Sequence, residues 1–111
     1  MKSISKELVG ASAIPIILSV LSNSDSYGYE IVQRVKEITN NEINWKEASI
    51  YPVLKKLESN GMIKSFWKMQ ENQRPRKYYT ILADGKKQLD KNVHEWRLIY
   101  NVFGELGGVK G

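Results

Sequence analysis

Arg74, Arg76 and Lys77 crowd the segment QENQRPRK, with Asn72 and Gln73 beside them. A little upstream, Ser49, Tyr51, Lys55 and Lys56 recur along ASIYPVLKKLESNG. Guanidinium groups pair with phosphate oxygens as a planar fork, lysines act on the same oxygens as point charges, and hydroxyls reach phosphates or base edges. Two neighbouring clusters of these types suit a polyanion, nucleic acid first. The charge distribution agrees. Net charge is +5, and Lys+Arg against Asp+Glu stands at 4 to 4 in residues 1–41, 8 to 4 in 42–80 and 5 to 4 in 81–111. A charged helix face alone is compatible with plain solvation. The adjacent basic turn, which folding does not require, tips the balance.

Other chemistries lack their parts. The chain has no cysteine, which removes disulfides and thiolate metal sites, and one histidine, His94, next to Glu95. No nucleophile-elbow, phosphate-loop or zinc-protease motif is present. No catalytic residue, metal ligand or cofactor is expected, and a reducing, cytoplasmic setting fits the composition. Lys2 and Lys6 precede an apolar run from Leu8 to Leu21 that superficially copies a signal peptide. Glu7 interrupts its charged part and no small-residue cleavage site follows. The run is also short for a bilayer span, so a buried helix is the expectation and no membrane partner is foreseen.

Four helices and a hairpin must position the basic clusters. The first helix, over about 6–22, is apolar almost all round and needs cover on several sides, with Pro15 predicting a kink or a late start. NSDS breaks the chain, with Asp25 and Ser26 as N-cap candidates for a second helix through YGYEIVQRVKEIT. In that helix Gly28 permits close packing. NNEIN is the next break, where Asn44 and Glu47 have the spacing of a capping box. The third helix turns Ile50, Val53, Leu54 and Leu57 inward and Ala48, Pro52, Lys55 and Ser59 outward, and stops at Gly61. Pro52 thus lies on the outward face, where the carbonyl it frees can be hydrated. MIKSFWKM and KYYTIL read as strands of a hairpin around the basic turn. At least one of Tyr78 and Tyr79 belongs to the core, since neighbours in a strand face opposite ways. This order is a winged helix-turn-helix: mainly α, with a two-stranded β-wing.

The last helix, about 84–106, would be roughly 35 Å long, more than so small a core can cover. Leu89, Val93, Trp96, Tyr100 and Phe103 recur at steps of four and three, the spacing of a coiled-coil seam. Ile99, Val102 and Leu106 add a second stripe. A homodimer is the economical explanation, with Leu8 and Ile14 of the first helix joining the interface. The domain reading is therefore 1–82 for the winged helix, its helix 6–22 shared with the dimer, and 83–111 for the dimerisation helix and tail. Two heads would match a palindromic operator on double-stranded DNA. Trp96 either packs that interface or, with its twin, sandwiches a flat hydrophobic compound.

YGYEIVQRVKE, EASIYPVLKKLESNGMI and RPRKYYTIL together resemble the PadR family of bacterial transcriptional regulators, in order and at close spacing over residues 14–86. The family pattern runs YGYEI, a SLYPALxRLExxGLI-type helix, then a basic wing ending RKYYxLT. The resemblance implies a dimeric repressor whose recognition helix carries Ser49, Tyr51, Lys55 and Lys56 and whose wing carries Arg74, Arg76 and Lys77. The single C-terminal helix is similar to the small subclass, whose multidrug-sensing members hold flat aromatic ligands between tryptophans of that helix. Trp96 lies where such a residue would be, with Tyr100 one turn on. That implies release by an aromatic or lipophilic effector. Leu82 replaces the family's threonine before the last helix, which removes an N-cap unless Asp84 serves. The competing expectation is a winged-helix module that docks a protein through its apolar helices.

Overall fold

The computed structural model describes residues 4–69 and 74–107. Its elements are α1 (Lys6–Asn23), β1 (Ser26–Tyr27), α2 (Gly28–Ile38), α3 (Glu47–Ser59), β2 (Ile63–Lys68), β3 (Arg76–Ile81) and α4 (Ala83–Glu105). This is the expected helix-turn-helix followed by a wing. The sheet, however, has three antiparallel strands in the order β1-β3-β2. The added strand is only Ser26–Tyr27, paired with Tyr79 and Tyr78. Two residues show no period-2 pattern, so the segment reads as a polar break until its partner strand is in place.

The core gathers Ile17, Leu18, Val20 and Leu21 of α1, Ile31, Val32 and Val35 of α2, and Ile50, Leu54 and Leu57 of α3, with Ile43, Ile63 and Tyr79. Only the C-terminal half of α1 is buried to this degree. The helix is long and apolar enough, by length and composition, to cross a membrane, yet that half forms the centre of this core. It runs unbroken from Lys6 through Pro15, so no late start occurs.

Two capping expectations are corrected. The N-cap of α2 is Tyr27, without a side-chain bond. Asp25 is exposed, while Ser26 is buried in β1 and its hydroxyl donates to Glu30 Oε1 at 2.6 Å. The N-cap of α3 is Lys46, not Asn44. The loop before it is closed by Thr39, whose hydroxyl donates to the Val35 carbonyl at 2.7 Å and accepts from the Ile43 amide at 3.0 Å. Asn40 and Asn41 take positive φ, the left-handed region that asparagine tolerates best among residues with a side chain. This fold-back brings Ile43 into the core. At α4 the cap loss expected from Leu82 is what is seen: the helix starts at Ala83 with Leu82 as an N-cap lacking any side-chain bond, and Asp84 lies in the first turn.

The end of α3 follows the expectation closely. Gly61 has φ +74, its amide donates to the Glu58 carbonyl, and the Met62 amide reaches back to the Leu57 carbonyl at 3.0 Å. That pair of bonds is a Schellman stop. It delivers the chain straight into β2.

Candidate nucleic-acid interface

The outward face of α3 carries Ala48, Ser49, Pro52, Lys55, Lys56 and Ser59, all exposed. Ala48 and Pro52 sit one turn apart on this side, so water can reach the Ala48 carbonyl that Pro52 leaves without a helical donor. The proline occupies the second turn of a continuous helix.

Tyr51 is less free than its exposure suggests. Its hydroxyl donates to Glu47 Oε2 at 2.8 Å. Partial burial, then the Glu47 bond and charge, push its pKa up to about 12, with Arg76 pulling the other way. Its ring lies against Gly28, where an added Cβ would stand 2.9 Å from the hydroxyl oxygen. Gly28 is therefore the close-packing glycine expected in α2, and Tyr51 is what it accommodates.

Strand register sorts the wing into two faces. Tyr27, Phe66, Lys68, Arg76 and Tyr78 share the outer face, whereas Ser26, Ile63, Ser65, Tyr79 and Ile81 face the core. On the outer face Tyr78 stands between Tyr27 (centroids 5.1 Å apart) and Phe66 (5.9 Å). The Arg76 guanidinium lies 4.6 Å from the Tyr27 ring centre, and Lys68 Nζ lies 5.0 Å from that of Tyr78. Lys77 points to the other side, 5.9 Å from the Tyr79 ring. Both Tyr78 and Tyr79 are buried, one on each face, so both pack. Arg74 is exposed just ahead of β3; Asn72 and Gln73 lie outside the described residues.

Glu58 joins the reading helix to the wing. Its Oε2 accepts from the Ser65 hydroxyl at 2.6 Å and from the Ser65 amide at 3.1 Å. The hydroxyl bond holds its carboxyl below the ordinary value, against opposing desolvation, with further help from the Ser65 amide and the charge of Lys77.

The second expected site lies between α1 and α4. Trp96 and Val93 are half-buried and Tyr100 half-exposed, lining a groove of about 530 Å³ with Leu8, Pro15, Ile16 and Ile43. Leu89 and Ile14, partly buried, also pack against the chain's own core. Beyond the groove, Leu98, Ile99, Val102 and Phe103 are each about half exposed, and Leu106 is 80 % exposed.

The profile of the transcriptional regulator PadR-like family matches residues 17–91. The chain belongs to that family. A transcriptional regulator from Clostridium thermocellum superimposes with a TM-score of 0.83 at 34% identity, over 92% of this chain and 96% of its own. A PadR family regulator from Clostridium difficile gives 0.77 at 37%, over 87% and 99%. The negative transcriptional regulator PadR of Bacillus subtilis is 34% identical over 80% of this chain, which spans only 47% of that protein. Its crystal structure in complex with operator DNA superimposes at a TM-score of 0.64 with 32% identity, over 76% of this chain and 45% of that one.

Several residues of this PadR-like chain carry weight that the sequence reading missed. Tyr27 and Lys68 meet Tyr78 and Arg76 only through strand register. Glu58 is one acid among 12 until Ser65 is folded against it. Trp67 and Met69, read as strand residues, are about 70 % exposed along the wing. Their only sequence signal is position beside the basic turn.

Proposed function

We propose that the chain is a cytoplasmic, homodimeric repressor that binds a palindromic operator through α3 and the wing. Ser49, Tyr51, Lys55 and Lys56 meet the major groove and its phosphates; Arg74, Arg76, Lys77 and the turn residues Asn72 and Gln73 meet the flanking backbone. The observation that carries this reading is the convergence of the two basic elements. Tyr27 lies under the Arg76 guanidinium and the next residue, Gly28, abuts the Tyr51 ring, which supports wing and helix acting as one surface. The apolar stripe from Leu98 to Leu106 supports pairing of two chains through residues 83–111, with α1 contributing. The groove at Trp96 and Tyr100 supports an aromatic or lipophilic effector, which releases DNA only by favouring the non-binding geometry.

Binding to the DNA upstream of the chain's own gene, measured across salt, tests the core of this reading. Phosphate contacts impose a steep negative slope of log K on log salt. Arg74→Ala with Arg76→Ala is expected to weaken binding and leave the dimer intact. Flat, sequence-blind binding overturns the operator reading in favour of a protein-docking module, for which the exposed stripe on α4 would be the surface. For the effector, Trp45→Phe with Trp67→Phe leaves Trp96 as the sole reporter. Fluorescence that ignores a panel of aromatic drugs and dyes removes the ligand switch.

A further inference from the structure

Lys68 and Arg76 are register partners on β2 and β3, which places two cations side by side on the outer face of the sheet. Like charges directly opposite across a strand pair are destabilising. Among the described residues no carboxylate lies within ion-pairing distance of either. Each is instead held over an aromatic ring, Arg76 over Tyr27 and Lys68 over Tyr78. Tyr27, Tyr78 and Phe66 form a continuous aromatic floor beneath them. A floor of this kind offsets the repulsion without neutralising the charge, and leaves the pair open to an anion.

The floor also reaches the recognition helix. Tyr27 supports Arg76, while the next residue, Gly28, is the surface on which the Tyr51 ring rests. The Tyr27–Gly28 step at the β1–α2 junction thus underlies both reading elements. Lys77 faces the other side of the strand and takes no part.

We propose that Lys68 and Arg76 together bind a single backbone phosphate at the base of the wing, with Tyr27 as the positioning residue that holds Arg76 toward it. This rests on the DNA-binding reading above. It adds Lys68, which the basic turn alone does not single out, and assigns a role to the tyrosine that opens YGYE.

The test is DNA binding by the full chain, with the upstream fragment as probe and the salt dependence recorded for each variant. Lys68→Ala and Arg76→Ala are each expected to weaken binding roughly 3- to 10-fold at moderate salt. Each neutralised phosphate contributes about 0.9 to the slope, so the double variant should lose about 0.9 if the two share one phosphate. A loss of about 1.8, or an unchanged affinity for Lys68→Ala, overturns the shared site. Tyr27→Phe should bind like the wild type and Tyr27→Leu should not. In an Arg76→Ala background the Tyr27→Leu effect should vanish, because it acts through Arg76. If it persists there, Tyr27 is merely structural and its positioning role is overturned. Failure of the wild type to bind DNA would instead overturn the function reading itself, so the two failures are distinguishable.

Discussion

Removing the Glu58 carboxylate should loosen the joint between recognition helix and wing. Two hydrogen bonds end on one oxygen of Glu58, at 2.6 and 3.1 Å. Bonds to a charged acceptor contribute roughly 1.5–3 kcal/mol each when shielded. Glu58 is half-buried, so water replaces part of what Glu58→Ala removes, and the net cost should be about 2 kcal/mol. For a domain near this size that lowers the melting temperature by roughly 10 °C. Urea denaturation at neutral pH and fixed protein concentration measures the first quantity. The pH dependence gives an independent handle. The folded carboxyl is held below its ordinary 4.5, so its stabilisation is fully present above that value and is lost as pH falls through the folded pKa. Glu58→Gln lacks this titration, and its gap from the wild type should close in acid. A Glu58→Ala protein within 0.5 kcal/mol of wild type, the usual band for inconsequential surface changes, would refute the reasoning. A Glu58→Gln gap that stays constant as the pH drops would do so as well.

Gly85→Ala should be among the most damaging single changes. Its Cβ would stand 2.2 Å from the Met62 carbonyl oxygen and 2.8 Å from Ile81 Cγ1, and backbone cannot yield, so about 3 kcal/mol of stability should be lost in thermal or urea unfolding. Gly28→Ala meets only the far end of the Tyr51 ring. It should cost about 1 kcal/mol in stability yet weaken operator binding, since Tyr51 must swing off Glu47; unchanged binding would separate Tyr51 from the interface. Tyr51 itself, with a pKa of about 12, should ionise above the ordinary tyrosine range in a near-ultraviolet titration, identified by its loss in Tyr51→Phe. The folded state favours its neutral form, so this contribution holds below pH 10 and is lost as pH rises through about 12.

Much of the fold was legible because its signals are local. The apolar faces of α2 and α3 follow the helical period, Gly61 supplies the left-handed residue a helix stop demands, and two β-prone runs around a basic turn announce a hairpin. The caps were less legible. Asp25, Ser26 and Asn44 are good N-cap types, yet the helices are capped one or two residues later, at Tyr27 and Lys46. Pairing of Ser26 with Tyr79 and the Thr39 clasp on Ile43 outweigh a cap contribution on the order of 1 kcal/mol.

The candidate site divides in the same way. Which residue types gather at the recognition helix and the wing is a property of the chain order, and so are the surplus apolar stripe on α4 and the proline on the outer face of α3. Those follow from period and composition, which neighbouring residues carry between them. Tertiary structure alone decided that Tyr27 lies under Arg76, that Gly28 seats Tyr51, that Glu58 clasps Ser65, and that Leu89 and Ile14 pack inward on their own core. Each of these contacts joins separate elements of the fold, and only strand register and helix docking bring the partners together. The sequence therefore named the cations of the recognition helix and the basic turn, and the folded sheet added Lys68 and determined what holds it and Arg76.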